Sequence, residues 1–297
     1  MARRTICIQS PSKLSVRHSA LCVEQDNETI AEIPLEDIWV LILETPQVRI
    51  TSAALSHLAT AGIGTMTCGS NHLPNGLLLP LGAHSRHAAI VDQQLAMSLP
   101  LKKRLWQRIV IQKIKNQAKV LELRGKDSSA LQRFAQAVQS GDKTNRESVA
   151  ASVYFRHLIE QGTRRDGPFS AALDYGYAVL RAGIGREAVA HGWLVSRGIH
   201  HDNNLNAFNL IDDLIEPFRP MVDLLVLEKD LVGNLTPEAK VQLASIFETL
   251  VEVDSKKVSI QYSIELELNS LRAAVVEKDA SLLKLPATIP LSTANFE

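Results

Sequence analysis

The chain has 297 residues, 45% of them hydrophobic and 22% charged, a composition that suits a globular protein and excludes a mainly disordered one. Lys and Arg (32) balance Asp and Glu (32), so no overall charge draws it to nucleic acid, and any such partner has to be met by a local patch. The length suits about two domains.

Residues 4–42 read as short strands. TICIQ, KLSVRH, ALCVEQ, TIAEIP and IWVLIL are β-branched or alternating, with polar turn residues such as Asp26-Asn27 between them. A helix is predicted over 51–61, capped by Thr51 or Ser52 and stopped by Gly62. Asn71-His72 and Pro74-Asn75-Gly76 mark a turn before LLLPL. The apolar spacing then changes from two to three and four. Residues 86–124, 128–139, 145–161, 170–197, 209–230, 236–251 and 256–279 each carry this helical spacing. Thr236 is the cap of one helix, with Pro237 in its first turn. Segment 82–87 reads as a linker, and the tail beyond Pro286 as loosely held. The predicted fold class is α+β, with a small β-rich domain over 1–82 and a larger all-α domain over 83–297.

Cys7, Cys22 and Cys68 are odd in number and form no CxxC pair, which argues against a disulfide framework or a structural zinc. They are expected to be buried free thiols in a reducing cytosol. The apolar stretch near the start is broken at Gln9, Ser10 and Pro11, too early for a signal peptide. No stretch approaches the roughly 18 apolar residues of a membrane span. The expected location is therefore cytoplasmic, with no membrane partner.

Two charge patterns stand out. Between Leu101 and Gly125, Lys102, Lys103, Arg104, Arg108, Lys113, Lys115, Lys119 and Arg124 face one acid, Glu122. Such a run can neutralise phosphates, or it can be a solvated face. Further on, His200 and His201 precede Asp212, Asp213 and Glu216. Spacings of three and four place these acids on one side of a predicted helix, an oxygen-rich set suited to Mg2+ or Mn2+. The plainer reading pairs Glu216 with Arg219 and lets Pro217 bend or end the helix. Glu147 falls in the first turn of a helix capped by Thr144 or Asn145, where it can equally be a capping-box acid. Gly62-Ile63-Gly64 and Gly183-Ile184-Gly185 lack the third glycine of a dinucleotide fingerprint, and no GxSxG frames a serine nucleophile.

Three blocks in order carry a resemblance. The first is Asn145-Arg146-Glu147 with Ala150, Ala151 and Tyr154-Phe155. The second runs from Ala172 to Leu180 and is followed by Arg186-Glu187. The third holds Gly198-Ile199-His200-His201, Asn206, Phe208-Asn209-Leu210, Asp213-Leu214 and Glu216-Pro217-Phe218-Arg219-Pro220. Together they resemble the CRISPR-associated adaptation integrases, the first of the two core spacer-acquisition proteins, in a type II-like form.

The resemblance implies a metal-binding and catalytic set of Glu147, His201 and Glu216, holding Mg2+ or Mn2+, with Asp213 beside them. Asp174, where the family more often has Asn, receives no catalytic role. The implied reaction is transesterification: the 3′-hydroxyl of a short prespacer DNA attacks a phosphodiester of a CRISPR repeat, and water in its place gives endonuclease activity. The implied partners are prespacer and repeat DNA, a second copy in a homodimer, the small second spacer-acquisition protein and other type II CRISPR proteins. A stand-alone metal-dependent nuclease for branched DNA and a non-catalytic DNA-binding scaffold are the alternatives. Without metal, two carboxylates in one pocket repel. Removing either glutamate is therefore expected to leave metal-free stability unchanged or slightly higher.

Overall fold

The computed structural model describes residues 4–70, 74–80, 84–159 and 163–294. The Asn71-His72 part of the predicted turn and the start of the predicted linker, 82–83, lie outside these residues.

The N-terminal part is built from β1 (Arg4–Ile8), β2 (Lys13–Arg17), β3 (Ala20–Gln25), β4 (Glu28–Pro34), β5 (Ile38–Leu43), β6 (Arg49–Ile50), β7 (Gly64–Cys68) and β8 (Pro74–Leu78). Two four-stranded sheets result, ordered β1-β5-β7-β8 and β4-β3-β2-β6. The turns β2–β3 and β3–β4 use His18-Ser19 and Asp26-Asn27, all four with positive φ. Two left-handed residues match the twist of the flanking strands, so these hairpins close tightly. Helix α1 (Ser52–Thr60) links β5 to the parallel β7, and the Thr51 hydroxyl accepts the Ala54 N–H at 3.1 Å, as its position predicts.

All six residues of β5 are buried. Ile38, Leu41 and Leu43 pack with Leu14, Leu21 and Leu58, whereas Trp39, Val40 and Ile42 enter the core of the helical part. An unbroken apolar run is what a central parallel strand covered on both faces requires.

The helices that follow are α2 (His87–Leu95), α3 (Leu99–Leu123), α4 (Ser129–Ala137), α5 (Arg146–Leu158), α6 (Ser170–Ala190), α7 (Asn209–Leu214), α8 (Arg219–Glu228), α9 (Pro237–Ala244) and α10 (Ile260–Val276). Four expectations need correction. The helix predicted over 86–124 is two, because Pro100 opens a new first turn after residues 96–98. The one predicted over 209–230 is broken at 215–218, where Pro217 cannot donate and its ring crowds the preceding turn. The end of the helix predicted over 236–251 and the start of the one predicted over 256–279 belong instead to a hairpin, β9 (Leu250–Val253) and β10 (Lys256–Ser259), turned by Asp254-Ser255 in positive φ. The tail is tied down: Glu252 and Ala287 exchange backbone hydrogen bonds at 3.0 and 2.8 Å, and Thr288 is buried.

Helix α6 runs against β5 and β7 with most of its length buried. The approach is close at Gly183, where a Cβ would come within 2.5 Å of Phe247 and 2.7 Å of Trp39. Cys22 and Cys68 are buried, but Cys7 is only partly so, which corrects the expectation of three buried thiols. Burial pushes the Cys7 thiol up to about 12 and Cys68 to about 11, so neither is a ready nucleophile. Among the described residues, no helix is long and apolar enough to cross a membrane.

Candidate functional site

The first turn of α5 is capped from outside the helix. Asn145 sits in left-handed backbone and its side chain makes no cap. Instead the Asp142 carboxylate accepts the N–H of Arg146 at 2.8 Å and of Glu147 at 3.0 Å. Glu147 is therefore not spent on the helix start, and the capping-box reading falls. Its side chain turns to α3, where Lys113 donates to Oε1.

Glu216 lies in the turn between α7 and α8. Its Oε2 is ion-paired with the same Lys113 ammonium, and its Oε1 accepts the Arg219 Nε at 2.9 Å. Two glutamates 69 residues apart thus meet at one buried cation. One turn along α3, Asn116 fixes the loop that carries Glu216: its Nδ2 donates to the carbonyls of Pro217 at 2.7 Å and Pro286 at 2.9 Å. Burial alone would raise the Glu216 carboxyl, but Lys113 and Arg219 outweigh it and hold it at about 2. Burial likewise opposes the charge on Lys113, and Glu216 and Glu147 outweigh it, so the ammonium stays protonated.

The two histidines are set by Asp213, which is fully buried. Asp213 Oδ2 accepts the N–H of Ile199 at 2.6 Å and of His200 at 2.9 Å. Its Oδ1 accepts the N–H of His201 at 3.1 Å and the His201 Nδ1 at 2.7 Å. Gly198 makes room for this clamp, since a Cβ there would lie 2.3 Å from the His201 carbonyl and 2.6 Å from Asp213 Oδ2. With its proton held on Nδ1, a neutral His201 keeps the Nε2 lone pair free. The hydrogen bond to Asp213 raises the His201 pKa, and the Glu216 charge also reaches it. His200 stacks flat on Trp106 with ring centroids 4.2 Å apart, and burial lowers its pKa.

The acids that spacing placed on one helical face take separate partners, because α7 ends at Leu214 and its periodicity does not reach Glu216. Asp212 pairs with Arg181 at 2.9 Å and accepts from Asn206 at 2.7 Å. Asp223 is buried, accepts the hydroxyls of Tyr154 (2.9 Å) and Tyr177, and burial lifts it to about 6. The basic run also divides. Lys113 points into the site. Arg104, Arg108, Lys115 and Lys119, spaced four, seven and four, share one side of α3. Arg108 also donates to the Leu283 carbonyl at 2.9 Å, and Lys119 pairs with Glu122 at 3.6 Å.

Sequence reasoning missed Lys113, Asn116 and Asp142 as site residues. A signal for the first two was present: they interrupt the apolar stripe of Leu105, Ile109, Val110, Ile114 and Ala118 at buried positions. Among the described residues, no group of three or more His, Cys, Asp or Glu is spaced to hold a metal ion: Glu147 and Glu216 meet at Lys113, and His201 does not join them as a third ligand. The donor set itself fits a hard divalent cation: two carboxylates converge on one cationic position, beside an imidazole with a free nitrogen.

Known proteins share this arrangement of chain. The family model described as CRISPR associated protein Cas1 matches residues 6–239. A CRISPR-associated endonuclease Cas1 from Neisseria meningitidis serogroup C (strain 8013) is 41% identical over 305 residues, covering all of both chains. A casposase bound to integration product superposes with a TM-score of 0.73 at 17% identity, covering 95% of this chain and 93% of that one. A Cas6-RT-Cas1–Cas2 complex contains a chain that matches with a TM-score of 0.77 at 17% identity, covering 95% of this chain and 36% of that one. By sequence over most of its length, and with the fold in agreement, the chain belongs to the Cas1 family of CRISPR-associated proteins.

Proposed function

We propose that the protein is a metal-dependent DNA integrase that joins short prespacer DNA to a CRISPR repeat by 3′-hydroxyl transesterification, with endonuclease activity when water replaces the hydroxyl. The observation that carries this reading is the convergence of Glu147 and Glu216 on one cationic position, next to a histidine oriented by a buried carboxylate. Glu147, His201 and Glu216 would hold Mg2+ or Mn2+. Such an ion supplies Lewis-acid polarisation of a phosphodiester and stabilisation of charge on the leaving oxygen.

The chain's own residues do the rest. Asp213 keeps the His201 ring at one angle and in one tautomer. Half-exposed His201 meets substrate from the open side, while buried Glu216 is held from behind by Arg219. Asn116 keeps the Glu216 loop against α3. The exposed side of α3, with Arg104, Arg108, Lys115 and Lys119, is the proposed track for DNA phosphates.

The named relative is an endonuclease, one structural neighbour is bound to integration product, and another lies in a complex with Cas2. These names support DNA and the small second spacer-acquisition protein as partners. The resemblance in sequence adds to the proposal a second copy of the chain, other type II CRISPR proteins and a cytoplasmic location. The test is strand transfer of a 3′-hydroxyl duplex into supercoiled repeat DNA with Mg2+ or Mn2+. Glu147→Ala, His201→Ala and Glu216→Ala are each expected to lose it while retaining DNA binding. Near-normal transfer by any of the three overturns the assignment. Metal-dependent cleavage of branched DNA without strand transfer favours the nuclease reading.

A further inference from the structure

We infer that Lys113 is a built-in counter-cation that holds Glu147 and Glu216 together without metal and makes divalent-metal uptake depend on a DNA phosphate. The inference rests on the metal reading above and adds to it a role for a residue outside the proposed ligand set.

Lys113 belongs to the site. It is 6% exposed and its ammonium contacts Glu147 Oε1 and Glu216 Oε2. A lysine so deeply buried is almost always paired, because an isolated ammonium in a protein interior is strongly disfavoured. Its position is fixed along with the residues it serves. Asn116, three residues on, hydrogen-bonds the Pro217 carbonyl next to Glu216 at 2.7 Å. Arg219 takes the other Glu216 oxygen at 2.9 Å. Glu147 and Glu216 are thus balanced by Lys113 and Arg219, and the buried Asp213 carboxylate beside His201 adds one further negative charge.

A divalent ion entering this cluster has two consequences. It would compete for the carboxylate oxygens that Lys113 holds, and the ammonium would lose its partners. It also adds two positive charges beside Lys113 and Arg219. Like charges at such short range repel strongly where water is scarce, and an unpaired buried ammonium is costly. Metal alone is therefore held weakly. With Asp213 counted, a divalent ion leaves the site one positive charge in excess; a phosphodiester supplies one negative charge and has oxygens able to accept from the displaced ammonium. DNA and metal then favour each other, and the coupling runs equally in both directions.

The experiment is Mn2+ titration of the full chain, read by the electron paramagnetic resonance of free Mn2+, with and without duplex DNA whose 3′ ends lack the hydroxyl. Free DNA is titrated separately and its own Mn2+ uptake subtracted. Lys113→Met is expected to bind Mn2+ at least about tenfold more tightly than wild type in the absence of DNA. Lys113→Arg keeps the charge and is expected to stay within about threefold of wild type. DNA is expected to raise wild-type affinity at least about fivefold, and to do much less for Lys113→Met. Equal affinity in wild type and Lys113→Met overturns the proposal, as does weaker binding by the variant. Should Lys113→Met fail to fold, the wild-type comparison decides alone: unchanged Mn2+ affinity with DNA overturns it. Glu147→Gln separates the two readings. If it takes up Mn2+ as well as wild type, the metal site itself is wrong and the role of Lys113 falls with it. If it loses Mn2+ while Lys113→Met matches wild type, the metal site stands and only the counter-cation is refuted.

Discussion

Replacing Asp213 by Asn changes one atom and removes the charge on which the histidine turn is built. Asp213 is fully buried and accepts four hydrogen bonds, from the N–H groups of Ile199, His200 and His201 and from the His201 ring. An amide oxygen in the Oδ1 place still serves His201. The amide nitrogen then faces the Ile199 and His200 N–H groups at 2.6 and 2.9 Å, donor against donor. Each bond to a charged group contributes about 1.5–3 kcal/mol, and each orphaned buried donor costs a similar amount. With both of these hydrogen bonds broken, the expected destabilisation is about 3–6 kcal/mol. The assay is urea unfolding without metal, run beside strand transfer. His201→Ala is the comparison: it removes one of the four hydrogen bonds, from a ring 44% exposed that water can partly replace, so stability falls by about 1.5 kcal/mol or less while transfer is lost. Asp213→Asn as stable as wild type would refute the claim that this carboxylate builds the turn.

Glu216→Ala leaves Lys113 with one partner and strips Arg219 of its carboxylate. Metal-free stability should drop by about 3–5 kcal/mol in thermal or urea melts, against the sequence-based expectation of no loss, and an unchanged melt sinks the reasoning. Asp223 titrates at about 6 when folded against 3.8 as a free side chain, so its contribution is complete below about pH 4 and lost as pH rises through 6. Asp223→Asn should remove roughly 3 kcal/mol of pH-dependent loss across that window, checked by melts at matched ionic strength. Lys115→Glu with Lys119→Glu should flatten the salt dependence of DNA affinity by about one log–log unit per phosphate released, and an unchanged slope makes the α3 stripe a solvated face.

Much of the architecture was legible from periodicity. IWVLIL read as a strand, and Thr51 and Thr236 mark the helix starts that the structure shows. The hairpin at 250–259 escaped because its four-residue strands lie between two helices whose apolar spacing masks them. Glu147, His201 and Glu216 became candidates as a set through the resemblance alone, whereas the helical spacing of Asp212, Asp213 and Glu216 misled, since Pro217 follows a helix that has already ended. Lys113 was hidden in a basic run that read as surface. Its place within the apolar stripe of α3, buried in the fold, separates it from Lys115 two residues later. The clamp by Asp213 rests on backbone N–H groups more than ten residues away, which no side-chain pattern encodes.

Helix α6 gives the molecule a mechanical property. Near one end, Arg186 donates to the Gly62 carbonyl at 2.7 Å, and Glu187 accepts from the Trp39 indole at 3.1 Å, both in the sheet-bearing part. About 15 Å back along the same rod, the Tyr177 ring lies under Arg219, 4.7 Å from its guanidinium, and Arg219 grips Glu216. The segment between carries Gly183 wedged against Trp39 and Phe247. No loop or hinge interrupts that span. The strands and the Arg219–Glu216 pair are therefore tied to one continuous rod, so a shift of the sheet and a shift of the glutamate are expected to be coupled.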